Sequence, residues 1–448
     1  MRPPKTRREA FQILRRVDEA GAFASVLLEQ RAATLRDPRE AALLTETVLG
    51  VLRRRAQLDH AIARAADRPL ETLDRAVLTA VRIGAYALLF LDRIPDFAAV
   101  DSAVTLLKEA RFAKASGFAN GVLRRIAREG ASLLPPEPEV GDVEAMALFH
   151  SHPTWWTRRV IDRVGWDRAF ALLAANNEPT ATVLAPWPPG DRGAGLVDAL
   201  EAEDVRVEPC RFAPEALRVL SGVPQHARVF QEGGCFVQDE ASQLAVAMFG
   251  DTVGPLVLDA CAAPGGKSLA LAGRLVPGGL VVAADLKVKR LARLTHNVTR
   301  LNANGLVTLV ADMSRPSPFA RAFDDVLVDA PCSGTGTLRR HPEIRWRLTP
   351  ADLARHAHKQ RSLMTAVADL VRPGGRLLYS VCSMETEEGE EVVASFLAEH
   401  ADFSRTAPGF GLGAAARSLL GGDLALRTSP TDGGLDGFFA ALLTRRSN

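Results

Sequence analysis

Two cysteines that follow predicted β-strands are the residues best suited to covalent chemistry. Cys332 lies three residues after the strand that closes at Asp329, and Cys382 closes the strand that begins at Arg376. Both stand in polar turns, where a thiol is more reactive than inside an apolar run, although a lone cysteine is more often a packing residue. Their spacing matches no zinc pattern, and neither has the local signature of a papain-like hydrolase. We therefore predict two thiols at the same edge of one sheet, and no metal site.

Four predicted strands end in aspartate, namely Asp259, Asp285, Asp312 and Asp329. In a doubly wound sheet, the carboxyl ends of the parallel strands form the edge where ligands bind. Asp285 follows Asp259 by 26 residues and resembles the carboxylate that accepts hydrogen bonds from ribose hydroxyls in such folds. Each aspartate alone could merely cap the next helix, but four together favour a ligand site.

The loop after the first of these strands is built from small residues. From Asp259 to Ser268 it reads Asp-Ala-Cys-Ala-Ala-Pro-Gly-Gly-Lys-Ser. Small residues let the backbone approach a ligand closely where a helix begins. A phosphate-binding P-loop needs glycine where Cys261 stands, and the Gly-x-Gly-x-x-Gly dinucleotide pattern is absent. The loop therefore fits neither a nucleoside triphosphate nor NAD well.

A basic segment lies between the two cysteines. Residues 339–347 read Arg-Arg-His-Pro-Glu-Ile-Arg-Trp-Arg. Cations interleaved with an aromatic ring suit a phosphate backbone and a stacked base, and a solvated charged loop is the alternative interpretation. The candidate RNA contacts are Arg339, Arg340, His341 and Lys267.

The spacing of apolar residues divides the chain into three predicted domains. Residues 1–134 have helical spacing throughout, which predicts an all-α bundle of six or seven helices. After a Pro-rich linker, residues 142–230 predict a small α+β domain. Residues 231–448 alternate short strands with helices, which is typical of a doubly wound parallel sheet. The last two strands predict an antiparallel hairpin at the sheet edge.

Composition excludes several classes of protein. The 448 residues are 47% apolar and 24% charged, which excludes a disordered chain and a fibrous rod. Five thinly spread cysteines argue against a disulfide framework, so we predict a cytoplasmic protein. No apolar stretch is long enough for a membrane span. Residues 1–134 hold 23 Lys and Arg against 16 Asp and Glu, and this basic third predicts a polyanionic partner.

Several of these segments together resemble a known family. Residues 238–242, 259–268, 329–343 and 379–383 resemble the bacterial RNA (cytosine-5)-methyltransferases that use S-adenosylmethionine. The helical region resembles the RNA-binding fold of the antitermination factor NusB, and the combination resembles the 16S rRNA methyltransferase B family over nearly the whole chain. The implied fold is a NusB-like all-α domain, a small α+β linker domain and a Rossmann-like α/β methyltransferase domain.

The resemblance also implies roles for single residues. Cys382 matches the family's nucleophile, Cys332 matches the second cysteine, which would serve product release, and Asp329 would border both cofactor and target base. Asp285 would hold the ribose of S-adenosylmethionine, and Asp312 would lie near its adenine. The loop residues that would line the cofactor are Cys261, Ala262, Ala263, Pro264, Gly265, Gly266 and Lys267.

The catalytic motifs leave the RNA substrate open among 16S rRNA, another rRNA site and tRNA. The NusB-like region favours 16S rRNA, free or early in assembly, as the partner of a monomeric enzyme with no membrane or metal requirement. A non-catalytic RNA-binding or antitermination scaffold is the alternative from another class. The presence of both cysteines and all four strand-end aspartates argues against that scaffold.

Overall fold

The computed structural model describes residues 5–32, 34–35, 37–190, 193–213, 215–315, 317–320 and 322–447. The chain forms two compact units. The first comprises Met1–Pro179 together with Leu338–Arg347, and the second comprises Thr180–Thr337 together with Leu348–Asn448. The chain therefore leaves the second unit for ten residues and then returns to it.

The first unit is helical, as its apolar spacing predicts. Phe11, Leu14 and Val17 of the first helix are buried and recur every three positions, so they lie on one face. Within the described residues, seven α-helices span the region predicted as an all-α bundle, which confirms that prediction. They are α1 (Lys5–Ala20), α2 (Ala24–Ala32), α3 (Pro38–Arg53), α4 (Arg55–Ala66), α5 (Arg75–Phe90), α6 (Asp96–Glu109) and α7 (Ser116–Glu129), and α8 (Val143–Phe149), α9 (Thr154–Val164) and α10 (Trp166–Ala175) follow in the same unit.

A short piece of the later sequence is part of this helical unit. We call Leu338–Arg347 the guest segment. Arg345, two residues before its end, is only 2% exposed. Its guanidinium donates to the backbone oxygens of Ser151 and Asn176, both at 3.0 Å, and to Oδ1 of Asn177 at 2.8 Å. Burial lowers the pKa of Arg345 to about 9, so the side chain is still a cation at neutral pH.

The end of the guest segment is held in the same way. Arg347 donates to the backbone oxygens of Val17 at 2.8 Å and Ala22 at 2.7 Å. The indole nitrogen of Trp346 donates to the backbone oxygen of Leu52 at 2.8 Å. A buried cation is tolerated when its donors find acceptors. The guest segment is therefore fixed by its polar groups as well as by packing.

The second unit begins with a small antiparallel sheet of strand order β2-β3-β1-β4. Its elements are β1 (Val183–Pro186), α11 (Gly193–Glu201), β2 (Arg206–Pro209), β3 (Leu217–Ser221), α12 (Arg228–Gln231) and β4 (Cys235–Val237). The segment predicted as one α+β domain, residues 142–230, thus gives α8 to α10 to the first unit and most of this sheet to the second. Hydrogen bonds from Ala56 and Gln57 of α4 to Ser151 and Phe149 hold those helices in the first unit.

The rest of the second unit is built on an eight-stranded mixed sheet. Its order is β10-β12-β9-β8-β5-β6-β7, and β11 pairs with β12. The pairs among β5 to β9 are parallel, which confirms the predicted doubly wound sheet. The elements are α13 (Glu240–Ala247), β5 (Leu256–Asp259), α14 (Gly266–Ala272), β6 (Leu280–Asp285), α15 (Val288–Arg300), β7 (Leu306–Val310), β8 (Phe323–Asp329), α16 (Pro350–Ala368), β9 (Val371–Val381), α17 (Glu390–Glu399), β10 (Phe403–Arg405), α18 (Ala414–Arg417), β11 (Leu426–Thr428) and β12 (Phe438–Arg445).

Apolar residues cover both faces of this sheet. Val257 of β5 belongs to one buried cluster with Leu291 of α15, whereas the next residue, Leu258, belongs to another with Met364 of α16. Successive strand residues point to opposite faces, so helices bury both. This is why the central strands are continuous apolar runs rather than alternating ones.

The predicted antiparallel hairpin forms at the edge of the sheet, which confirms that prediction. β11 and β12 pair antiparallel, and β12 joins the sheet through β9. On the other side of β12, β11 pairs with Phe438–Ala440 and β10 pairs with Leu443–Arg445. The residues Phe438 to Leu443 are all buried, so the outermost positions of the sheet are left to two short strands, as is usual at an edge.

We expect Arg345→Met to destabilise the protein by roughly 2–4 kcal/mol, because the buried oxygens would lose their hydrogen-bond donor. The apolar packing of the methionine would offset only part of this loss. Arg16→Met, at an exposed position of α1, is the control and should change stability by less than about 0.5 kcal/mol. The measurement is the urea midpoint followed by circular dichroism. Equal midpoints for the two variants would show that the guest segment contributes nothing through Arg345.

Candidate active site

The parallel pairing of β8 with β9 brings the two cysteines together. Asp329 is opposite Ser380 in the ladder, so the turns that follow both strands leave the sheet side by side. The Sγ atoms of Cys332 and Cys382 are 3.3 Å apart, and both are free thiols. That distance fits a hydrogen bond between the two thiols and is too long for a disulfide bond.

A glycine holds the turn after β8 against its neighbours. The backbone nitrogen of Gly336 donates to the oxygen of Cys382 at 3.1 Å, and its oxygen accepts from the nitrogen of Gly437 at 2.8 Å. A Cβ atom at Gly336 would lie 1.8 Å from the oxygen of Gly437, so no side chain fits. The turn therefore has one position relative to the end of β9.

A buried ion pair stands beside the thiols. Lys267 Nζ lies 2.7 Å from Asp329 Oδ2, and Ser380 Oγ donates to Asp329 Oδ1 at 2.8 Å. Lys267 is 8% exposed. Burial by itself lowers the pKa of Lys267, but the Asp329 carboxylate more than offsets this, so that the pKa is raised. Lys267 is thus an ammonium that faces a strand-end carboxylate, which does not favour its predicted contact with an RNA backbone.

Asp259 at the end of β5 is buried completely. Its Oδ2 accepts from Ser268 Oγ at 2.6 Å, and its Oδ1 accepts from the nitrogen of Cys261 at 3.3 Å. Burial raises the pKa of Asp259 to about 7, with a further contribution from the charge of Asp329, although the hydrogen bond from Ser268 opposes the rise. The carboxylate fixes the start of the small-residue loop.

Asp285 at the end of β6 has the free acceptor capacity that a ribose requires. Its two oxygens accept from the nitrogens of Ala263 at 3.2 Å and Lys287 at 2.8 Å. A carboxylate offers about four lone-pair directions, so two remain for ligand hydroxyls. This donor and acceptor chemistry fits the ribose of S-adenosylmethionine.

The small-residue loop between Asp259 and α14 is shaped by Gly265. Its φ is +112°, and a Cβ atom there would lie 2.5 Å from the side chain of Leu294. Cys261 in the same loop is a thiol whose pKa is raised well above its usual range by burial and by the charge of Asp259. The loop therefore offers backbone groups and an un-ionised thiol to a ligand, as a cofactor-lining role requires.

Asp312 lies two residues beyond the end of β7 and is more open to solvent. It accepts from Ser314 Oγ at 2.6 Å and pairs with Arg315 at 3.3 Å. The hydrogen bonds from Ser314 lower the pKa of Asp312, and Arg315 adds to this effect. Its place near the adenine of the cofactor stays a prediction.

The environment of the Cys332 thiol favours its protonated form. The hydrogen bond to Cys382 raises the pKa of Cys332 well above its usual range, and burial and the negative charges of Cys382 and Glu388 add to it. Cys332 therefore holds its proton more tightly than an ordinary thiol and can donate it toward Cys382. This suits the prediction that Cys332 is not the nucleophile.

Three of the four predicted RNA contacts, Arg339, Arg340 and His341, belong to the guest segment of the first unit. Arg339 is buried, and its guanidinium donates to the oxygen of Pro179 at 2.9 Å, which is the opposite of the exposed position that a phosphate contact needs. Burial, together with Arg340, lowers the pKa of His341 to about 4, and its ring packs edge-on against Phe23. Contacts of Arg340 and His341 with RNA stay a prediction.

Sequence reasoning missed one buried carboxylate, Glu388, which accepts hydrogen bonds from the serines that follow both cysteines. It lies in the run Glu385–Glu391, which resembles a solvated helix start. The signal that could have found it is the pair of Cys-Ser dipeptides at two neighbouring strand ends.

Two searches of the described part of the chain gave no candidate. No group of three or more His, Cys, Asp or Glu side chains there could hold a metal ion. No helix there is long and apolar enough to cross a membrane.

We expect the free energy of unfolding to fall as the pH rises from about 4 to about 7, because the folded protein retains a proton on Asp259 that the unfolded chain releases near pH 4. Asp259→Asn resembles the protonated acid and should remove this part of the decline. Asp369→Asn, which replaces a carboxylate that is 97% exposed, should retain it. Urea denaturation at pH 5, 6, 7 and 8 makes the comparison, and parallel curves for both variants would contradict the assignment.

Comparison with family models gives one match in each region of the chain. The model of the family described as 16S rRNA methyltransferase RsmB/F matches residues 250–444. The model of the NusB family matches residues 4–128. The two matches coincide with the sheet that carries the thiols and with the helices α1 to α7.

Individual proteins match over almost the whole chain. The ribosomal RNA small subunit methyltransferase B of Salmonella paratyphi B is 32% identical over 98% of both chains, and that of Pasteurella multocida is 31% identical over 98% of this chain and 96% of its own. The crystal structure of PH0851 has a TM-score of 0.83 at 25% identity over 99% of both chains. That of NSun6 from Pyrococcus horikoshii with SFG shares the fold, with a TM-score of 0.58 at 17% identity over 66% of this chain and 99% of its own. The chain thus belongs to the RsmB/F family of rRNA methyltransferases, which use S-adenosylmethionine, and its N-terminal domain belongs to the NusB family.

Proposed function

We propose that this enzyme methylates carbon 5 of a cytosine in 16S rRNA through a covalent bond between Cys382 and carbon 6 of the base. The observation that carries the proposal is the contact of two free thiols, 3.3 Å apart, beside the Lys267–Asp329 pair. A single thiol would suffice for attack. A second one in contact with it indicates a reaction in which the first must also be released.

The chemistry explains the need for a thiolate. Carbon 5 lies in an aromatic ring and is a poor nucleophile. Addition of the Cys382 sulfur to carbon 6 forms a C–S bond and moves the electron pair of the 5,6 double bond toward carbon 5, which can then accept a methyl group. Covalent catalysis of this kind replaces one difficult step with two easier ones.

S-adenosylmethionine, when bound, supplies the electrophilic methyl group. We assign its ribose to Asp285 and its adenine to the neighbourhood of Asp312, with Cys261 to Lys267 along the rest of the molecule. The free acceptor capacity of Asp285 supports this assignment.

Asp329 is assigned to the base. Its carboxylate is held from two sides, by Lys267 Nζ and by Ser380 Oγ. A carboxylate in a fixed position can accept a hydrogen bond from the exocyclic amino group of cytosine and so orient the ring for attack at carbon 6.

Release needs a base, which we assign to Cys332. Its thiolate removes the proton from carbon 5, the C–H electron pair restores the 5,6 double bond, and the Cys382 sulfur leaves with the C–S electron pair. The pKa of Cys332 is raised mainly by its hydrogen bond to Cys382. This hydrogen bond is weaker once Cys382 is a neutral thioether in the covalent intermediate. Cys332 is then more acidic, at the step that requires its thiolate.

The choice of 16S rRNA rests on the similarity to ribosomal RNA small subunit methyltransferases B and on the NusB-family domain. A free or early-assembly RNA substrate, a monomeric enzyme and a cytoplasmic location belong to the same proposal. Bisulfite mapping of rRNA and tRNA from cells with and without the protein tests the substrate. A missing 5-methylcytosine in tRNA or in 23S rRNA, with 16S rRNA unchanged, would contradict it.

We expect Cys382→Ala to lose nearly all methyl transfer, because it cannot form the covalent bond. Cys332→Ala should attack and methylate but fail to release, so a protein–RNA adduct should accumulate. Denaturing gel electrophoresis detects the adduct as a slow band, and the double variant is the control, which should show none. An adduct in Cys382→Ala would reverse the two roles. Normal activity in both single variants would exclude the thiol mechanism.

We expect Asp285→Ala to weaken S-adenosylmethionine binding by roughly 1.5–3 kcal/mol, which is about 10- to 150-fold in Kd, because hydrogen bonds to a charged acceptor are lost. Isothermal titration calorimetry measures the affinity. Asp369→Ala, at the exposed site used above, should bind as the unmodified enzyme does. Unchanged affinity in folded Asp285→Ala would remove this residue from the cofactor site.

A further inference from the structure

The residues directly after the two cysteines share one partner. Ser333 follows Cys332, and Ser383 follows Cys382. Both serine hydroxyls donate to the same oxygen, Oε2 of Glu388, with the Ser383 contact at 2.6 Å. The backbone nitrogen of Ser333 donates to the other oxygen, Oε1, at 2.8 Å. One carboxylate therefore binds both thiol-bearing turns.

Glu388 itself is fixed. It is fully buried, with 0% exposure. Gln360 Nε2 donates to its Oε1 at 3.1 Å, so the carboxylate accepts four hydrogen bonds and its lone-pair directions are filled. Tyr379 Oη donates to the backbone oxygen of Glu388 at 2.6 Å, which ties the residue to strand β9. The side chain has neither a free acceptor nor room for a ligand.

The chemistry of the four donors requires a carboxylate. Two hydroxyl groups, one backbone N–H and one amide N–H all point at the Glu388 oxygens. A glutamine amide would present two N–H donors to the same groups, and at least one serine would have to turn away. A buried carboxylate is costly unless it is fully hydrogen-bonded, so this site is stable only while both serines are held.

We propose that Glu388 is a positioning residue that sets the separation of the Cys332 and Cys382 thiols by holding the serine after each cysteine. It does not touch the thiols, and it sets their separation through Ser333 and Ser383. Its negative charge acts separately, by favouring the protonated form of Cys332, and Ser383→Ala, which keeps that charge, separates the two effects. The inference deepens the proposed function and rests on it, because the separation matters only if the two thiols act in turn on one base. A displacement of about 1 Å at a reacting group can cost roughly 10²-fold in rate.

The test compares Glu388→Gln with Glu391→Gln, a control that alters an exposed carboxylate at the start of the same helix, α17. Two quantities are measured. The first is the single-turnover rate of methyl transfer at saturating RNA, together with the half-saturating RNA concentration. The second is the rate at which oxidised glutathione, itself reduced to two glutathione molecules, joins Cys332 and Cys382 in a disulfide, detected as a linked peptide by mass spectrometry.

We expect Glu388→Gln to lower the methyl-transfer rate by roughly 10²-fold with an unchanged half-saturating RNA concentration, and to slow disulfide formation at least tenfold. Glu391→Gln should match the unmodified enzyme in both. Tyr379→Phe removes a buried hydrogen bond to the same residue but leaves the carboxylate, so it should lower the melting temperature without slowing the disulfide. That comparison separates positioning from general stability.

Ser383→Ala gives a milder variant in case Glu388→Gln does not fold. It should slow disulfide formation, and Glu388→Gln should add little to it in the double variant, because both changes break the same link. Unchanged disulfide and methyl-transfer rates in folded Glu388→Gln, or in Ser383→Ala if that variant alone folds, would overturn the proposal. Failure of the thiol mechanism looks different, because activity would then survive Cys382→Ala whatever the disulfide rates are.

Discussion

The structure of the catalytic unit depends on one ladder, the parallel pairing of β8 with β9. Because Asp329 is level with Ser380, the two strands leave the sheet at the same height. Only two residues separate Asp329 from Cys332, and one separates Ser380 from Cys382. A register slip of one residue would turn every side chain of a strand to the other face. It would move Cys382 away from Cys332 and Ser380 away from Asp329. The thiol contact is therefore a consequence of strand register.

Buried charge is the second theme, and each instance is compensated in a different way. Lys267 has a partner of opposite charge, Glu388 has four hydrogen-bond donors, and Arg345 has neutral oxygens only. Because an uncompensated buried charge costs several kcal/mol, each of these charges holds the groups that compensate it in place. The first holds the Asp329 carboxylate, the second holds the turns that carry the thiols, and the third holds the guest segment.

Periodicity and strand-end chemistry were enough to predict the helical region, the doubly wound sheet and the place of both cysteines. Both patterns can be read from a few neighbouring residues, and in any parallel sheet the carboxyl ends of the strands meet at one edge. The contacts of Arg339 and Glu388 could not be predicted, because both are charged residues in charged runs and only tertiary structure buries them. The pairing of β10 with β12 was not predicted, because a strand of three residues is too short to show an apolar pattern.

The guest segment affects how the protein can be divided in engineering and how its substitutions evolve. A single boundary between the helical region and the methyltransferase region would divide the first unit, because this unit contains residues from both regions. Arg345 lies near the end of Leu338–Arg347, whereas the oxygens that accept its hydrogen bonds lie before Pro179. A chimera that exchanges the first 179 residues between relatives would therefore have to exchange the guest segment as well. Substitutions in the guest segment and in the residues around it should be inherited together, although 168 residues separate Arg345 from Asn177 and 169 separate it from Asn176.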